Sequence, residues 1–284
     1  MRGKGKMLLG YNTNGMAHHD LFDAIELLAD IGYASVAITI DHTALSPNAR
    51  YSRQRTQRLQ RLLQRQKMRS VIETGARFLL NPREKHEPTL ISRDPDGRRR
   101  RIDFYKYAVD SAAELGSDCV SLWSGRLPPN VERSQAIAWL VDGLRQISEY
   151  AARQQVSIAF EPEPGMLIDT MTGWEGLLAQ SGMDDLCLTL DIGHLHCQGE
   201  GSIDAVICRW APRLVNVHIE DMRAGVHEHL MFGEGQIDFP TVFRGLARAA
   251  FVGGVHVELS RHSHDAPAAA QKAYEFLQAV LAGL

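Results

Sequence analysis

Apolar positions along the chain follow two alternating rhythms. Short runs such as MLLGYN at 7–12, SVAITIDH at 35–42 and RSVIETG at 69–75 read as strands, each closed by polar residues. Between the first two, DLFDAIELLADIGY places Leu21, Ile25, Leu28 and Ile31 at helical spacing, and Gly32 ends the helix. An Arg/Gln-rich helix is predicted over about residues 50–68, its charges forming a solvated outer face. The rhythm continues with strands CVSLWSG, SIAFEPEPG, LCLTLDIG, RLVNVHIED and GGVHVELS. Helices IDFYKYAVDSAAELG, SQAIAWLVDGLRQISEYAARQQ, TGWEGLLAQSG, IDAVICRWA, FPTVFRGLARAA and APAAAQKAYEFLQAVLAGL fill the gaps.

Eight strand runs alternating with eight helices, without a linker or a shift in composition, predict one α/β domain over residues 1–284: a (β/α)8 barrel, or TIM barrel. The length of 284 residues suits that architecture, which commonly reaches about 250 residues around one core. A doubly wound sheet shares the alternation, but YNTNGMAHH after the first strand is a poor match to a glycine-rich phosphate loop.

Composition narrows the function classes. A formal net charge of −3 gives no global positive field to hold nucleic acid or an anionic membrane, so neither partner is expected. No stretch approaches the roughly 18 apolar residues of a membrane span, and the apolar run in MRGKGKMLLGYN stops at Asn12, too short for a signal-peptide core. Cys119, Cys187, Cys197 and Cys208 form no CxxC pair, which fits a reducing cytoplasm. Barrels of this kind often pair through their helices or long loops, so a homo-oligomer is compatible with the sequence.

In a TIM barrel the chemistry sits at the C-terminal ends of the strands. Strand five ends at Glu161 and Glu163, strand six at Asp191 with His194 beyond it, strand seven at His218 and strand eight at Glu258. Strand two ends at Asp41 and His42, and strand three at Glu73. Glu161, Asp191 and His218 follow one another at about one βα unit each. The step to Glu258 is longer because AGVHEHLMFGEGQID is inserted. Three carboxylates and one imidazole aimed at one point make a hard, oxygen-rich ligand set for a single divalent ion, Mn²⁺, Mg²⁺ or Co²⁺, with Zn²⁺ also compatible. A closed zinc knuckle in LTLDIGHLHCQGEG is disfavoured, since Cys197 is its one sulfur; His196 and Cys197 read as bystanders.

FEPEPG at 160–165, LDIGH at 190–194, NVHIED at 216–221, HLMFGEGQIDF at 229–239 and VHVELS at 255–260 resemble, in order, the strand-five to strand-eight motifs of the xylose isomerase-like barrel superfamily. That group includes sugar and sugar-phosphate isomerases and epimerases and the endonuclease IV proteins. The resemblance implies that Glu161, Asp191, His218 and Glu258 hold one divalent metal, and that Glu161 and Glu258 move a proton at a substrate carbon through a metal-stabilised enediolate. It also implies that His194 contacts substrate oxygen from the loop after strand six. Arg223 and His229 fall where relatives carry a basic residue and a pocket histidine. Glu73 and His42 are candidates for the opposite wall, and Trp123 for an apolar face against a sugar.

The endonuclease branch carries further metal-binding histidines and an Asp-x-His pair before GEG. Here the pair reads His227-Glu228-His229 and strand four ends in Trp123 and Ser124, so the extra ligands are largely missing. The implied substrate is a small carbohydrate or polyol, and the implied reaction isomerisation or epimerisation. A dehydratase or lyase sharing the first proton abstraction is the alternative, ahead of a phosphodiesterase or an idle scaffold. The basic run Arg98 to Arg101 either caps the mouth from the long loop after strand three or forms the solvated start of helix three.

Overall fold

In the computed structural model, which describes residues 6–50 and 52–284, the alternating pattern closes into a parallel barrel. The basic residues among 1–5 and Tyr51, within the predicted second helix, lie outside the described residues. The barrel strands are β1 (Met7–Asn12), β2 (Ser35–Thr39), β3 (Arg69–Glu73), β4 (Val120–Leu122), β5 (Ile158–Phe160), β6 (Cys187–Asp191), β7 (Leu214–Ile219) and β10 (Gly253–Val257). β10 pairs with both β7 and β1, which closes the ring. The remaining two strands, β8 (Asp221–Arg223) and β9 (Val226–Leu230), form a separate antiparallel hairpin above β7. The sequence pattern did not reveal this hairpin; it is built from the insertion before the next helix.

The helices are α1 (Leu21–Ile31), α2 (Ser52–Gln66), α3 (Pro95–Leu115), α4 (Arg133–Arg153), α5 (Met171–Ser181), α6 (Ile192–Gln198), α7 (Ile203–Trp210), α8 (Phe239–Arg248) and α9 (Ala266–Ala282). Several starts have a local cause. Asp20 caps α1 by accepting the Phe22 N–H, and Thr170 caps α5 by accepting the Gly173 N–H. α3 begins earlier than its apolar period suggests, because Asp94 accepts the Asp96 and Gly97 N–H groups and Pro95 occupies the first turn. Arg98 to Arg101 are therefore helical, and the loop reading of that run is corrected.

Two layers of packing follow from strand alternation. Outward residues such as Val36, Ile38, Ile72, Leu188, Leu190, Val255 and Val257 join the helices in the main apolar core. Inward residues form a floor of small side chains, with Ala37, Val71, Cys119 and Ala159 fully buried together. Above that floor the interior turns polar. Asn216 donates to Glu73 and to Thr189 Oγ1 at 2.9 and 3.3 Å, Thr189 donates to Ser121 Oγ at 2.9 Å, and His256 Nδ1 lies 2.8 Å from Asn216 Oδ1. These bonds satisfy groups that would otherwise be costly to bury, and they fix the tier above. Among the described residues, no helix is long and apolar enough to cross a membrane.

Candidate functional site

The top interior tier is where the strand-end residues meet. Asp191 and His218 are register partners on β6 and β7, while Glu161 and Glu258 follow the last residues of β5 and β10. Glu161, Asp191, His218 and Glu258 place ligand-capable atoms all within 4.8 Å of one another. His218 Nδ1 lies 3.0 Å from Glu161 Oε1 and 2.9 Å from Glu258 Oε2, and its Nε2 lies 2.9 Å from Glu73 Oε1. Glu73 thus stands behind the imidazole, an arrangement that orients a ligating histidine by holding its other nitrogen. Glu73 lines the cavity too.

Burial and proximity set the charges. Burial pushes the Glu161 carboxyl well above its ordinary range, against the pull of His218. Burial works against the Glu258 carboxylate as well, but there the neighbouring His218 wins and holds it below its usual range. For His218 burial disfavours the charged form, yet Glu161, Glu73 and Glu258 together raise it well above the usual value. Glu163, pushed up by burial and by Glu258, reaches about 7. Three carboxylates this close are relieved by a cation. Asp191 Oδ2 is buried without a hydrogen-bond partner among the described residues, as an oxygen reserved for such a ligand would be. The donor set therefore fits a divalent metal.

Glu161, His218 and Glu258, with Glu73 and Glu163, line the base of a cavity of about 360 Å³. Trp123, His194, His229 and Glu73 line it. His42 and Arg223 do not, and both assignments to the substrate pocket are corrected. His42 is exposed and lines a separate surface depression with His18 and His19, because Asp41 accepts its N–H and the chain turns outward there. Arg223 is exposed on the hairpin and donates to the Glu234 carbonyl at 3.3 Å. The basic residues lining the cavity are Lys85, from the long connection after strand three that the sequence reading set on the active face, and Arg77 and Arg261, which strand-end reasoning missed because both lie in connections.

His194 sits on a helix rather than in a loop. Asp191 Oδ1 accepts the His194 N–H at 2.8 Å, capping α6, so the imidazole returns over the mouth from the first turn. α6 can approach so closely because residue 193 is glycine: a Cβ there would collide with Glu220 Oε1 and press on the Met222 methyl. Burial holds His194 down at about 4, in the neutral form that can donate or accept. The downgraded pair stays outside the cavity lining; Cys197 is buried with Sγ 3.5 Å from the His194 carbonyl.

The hairpin brings two further imidazoles to the cavity. His227 Nε2 lies 3.1 Å from His194 Nε2, and His194, His227 and His229 form a second group of ligand-capable atoms within 4.8 Å of one another. The view that the His-x-His pair is merely a lost metal motif is thus incomplete: the pair does converge on His194. Behind it, the fully buried Glu220 lies 3.9 Å from His229 Nδ1. Burial opposes the charge on His229, but Glu220 outweighs it and raises the imidazole to about 10.

Asp221 anchors the hairpin. Its Oδ2 accepts the N–H groups of Gly233 and Gly235, both at 2.9 Å, and its Oδ1 accepts those of Met222 and Ile237 at 2.9 and 3.1 Å. A Cβ at position 235 would overlap the Asp221 carboxylate, which explains the second glycine of FGEG.

Comparison with known proteins agrees with this architecture. Residues 25–280 match the xylose isomerase-like TIM barrel family. The chain is 25% identical over 262 residues to an L-ribulose-5-phosphate 3-epimerase of Shigella flexneri serotype 5b, covering 92% of this chain and 89% of the relative. D-allulose 3-epimerase from Methylomonas sp. superposes with a TM-score of 0.75 at 20% identity, over 97% of this chain and 98% of that one. The zinc-bound IolI protein superposes with a TM-score of 0.77 at 20% identity, over 98% and 99%. The chain belongs to the xylose isomerase-like TIM barrel family.

Proposed function

We propose that this protein is a divalent-metal-dependent epimerase that inverts a carbon next to the carbonyl of a ketose or ketose phosphate. The observation that carries the reading is the convergence of Glu161, Asp191, His218 and Glu258 beneath a cavity wide enough for a small sugar. The names of the relatives support it: a pentulose-phosphate 3-epimerase in sequence and a hexulose 3-epimerase in fold. The oxygen-rich donor set favours Mn²⁺, Mg²⁺ or Co²⁺, and Zn²⁺ is compatible.

A bound divalent ion supplies the positive charge that makes a proton α to a carbonyl acidic enough to remove. The chain's own residues do the rest. Glu161 follows β5 and Glu258 follows β10, with β6 and β7 between them, so the two carboxyl groups reach the substrate carbon from different sides. One carboxylate takes the proton, the C–H electron pair moves toward the carbonyl oxygen, and the other carboxyl returns a proton to the opposite face. His194 and His229 face the sugar oxygens, and Trp123 gives an apolar wall.

The test is turnover of L-ribulose 5-phosphate and D-allulose in deuterium oxide by protein loaded with Mn²⁺. Inversion with one solvent deuteron retained at the inverted carbon is the expected result. Loss of water from the product identifies a dehydratase and overturns the epimerase reading, as does metal content well below one ion per chain in protein prepared without chelator.

A further inference from the structure

The connection from β3 to α3, residues 74–94, runs over the cavity without any strand or helix of its own. Such a length of irregular chain is ordinarily mobile, yet this one carries Gly75, Arg77, Lys85 and His86 into the cavity lining. What organises it is a buried cation. Arg101 is fully buried in α3; its Nε donates to the Pro88 carbonyl at 2.6 Å, one terminal nitrogen to the Thr74 carbonyl at 3.2 Å, and the other to the His86 carbonyl. One guanidinium therefore ties the start of the connection, directly after Glu73, to the residues that turn back over the mouth.

The same guanidinium lies 5.4 Å from the centre of the Trp123 ring, and His86 meets that ring edge-on at 5.3 Å. A second attachment lies beside it. The Thr89 side chain packs on Gly125, after β4, where an added Cβ would come within 2.6 Å and where φ is +89°. The three preceding arginines behave differently: Arg99 pairs with Asp96 on the surface, Arg100 is exposed, and Arg98 lies over the Trp139 ring at 4.1 Å.

Among the described residues, Arg101 has no carboxylate within salt-bridge distance, and its charge is met by carbonyl dipoles and ring faces. An apolar side chain of similar volume avoids that desolvation cost and often serves stability as well or better. The planar fork supplies what an apolar side chain cannot: three directed hydrogen bonds to three separate points of the backbone.

We infer that Arg101 is a positioning residue for the substrate cavity, fixing the wall that presents Lys85 and His86 opposite the acidic ligand group. The kinetic part of this inference rests on the proposed epimerase reading; the structural part does not. Arg101→Lys keeps the charge but loses the fork, and Arg101→Met keeps much of the volume. In both, hydrogen exchange of amides 85–92 should accelerate about tenfold or more while β-strand amides keep their protection. With whichever of L-ribulose 5-phosphate and D-allulose the wild type turns over faster, KM should rise about tenfold, kcat should stay within about twofold, and metal content should be unchanged.

Gly125→Ala displaces Thr89 from the other side, leaves Arg101 intact and should reproduce the same KM rise and local exchange; it decides the matter if the Arg101 variants fail to fold. A fall in melting temperature with unchanged KM and unchanged exchange over 85–92 overturns the inference. Absence of turnover of either sugar by the wild type counts against the epimerase reading alone, and the exchange comparison still decides the role of Arg101.

Discussion

Strands β2 and β6 both lead to an aspartate with a histidine just beyond it, and the two pairs end in opposite environments. After β6, Asp191 lies in the tier of His218, caps α6 through the His194 N–H, and the returning helix buries the imidazole over the cavity. After β2, that tier is taken by Thr39, the register partner of Glu73, and Asp41 stands one step higher at the rim. There it accepts the N–H of the very next residue and receives the Arg77 Nε at 2.9 Å, so His42 is carried outward. The chemistry of the two motifs is the same. What differs is the depth at which the carboxylate leaves the barrel and whether its next bond starts a helix.

The contrast can be broken most severely at the metal tier. Glu161→Gln is expected to lose bound divalent ion, measured by elemental analysis, and to lower turnover by about 10²- to 10⁴-fold. Asp41→Asn should leave metal content at the wild-type level; equal losses in both variants would erase the distinction between the two strand ends.

A smaller effect is expected one step above. His194→Ala removes a buried hydrogen-bonding group from the cavity and should lower kcat/KM by about 10- to 100-fold with metal retained.

Proton release gives a third measure. Both Glu161 and His218 are pushed above their ordinary values, so any protons they hold must leave before these ligands can accept a cation. Metal affinity should therefore rise with pH, with net proton release on binding. Calorimetry in two buffers of different ionisation enthalpy reads this directly, and an affinity flat between pH 6 and about 8 would contradict it. Smallest of all, His42→Ala should change kcat/KM by less than about twofold, as befits an exposed side chain away from the cavity.

The eight-strand alternation, the closure into a barrel and the convergence of Glu161, Asp191, His218 and Glu258 on one point were legible in the sequence. Each depends on local periodicity and on the rule that barrel sites lie at strand ends. His227 was not, because its position depends on a hairpin whose fold is set by Asp221 bonding to backbone groups up to sixteen residues away, and His229 on the same ribbon was reached through the family resemblance alone. Arg101 was hidden for a different reason. Four consecutive arginines read as a solvated face, and a helix turns only one of these four into full burial, which composition alone does not reveal. His42 misled because period two says which face of a strand a residue occupies but not how far above the rim the chain has climbed.

The hold that Asp221 exerts on the hairpin bears on how such a molecule diversifies. The carboxylate grips the amide hydrogens of Met222, Gly233, Gly235 and Ile237, so the anchoring of the ribbon does not depend on the identity of the side chains at 226–230. New side chains there would redraw the hairpin wall of the cavity, exchanging the His227–His194 and His229–Glu220 contacts while leaving those amide bonds in place. A change in substrate taste and the preservation of the fold are thereby assigned to different stretches of chain, and selection can act on one without endangering the other.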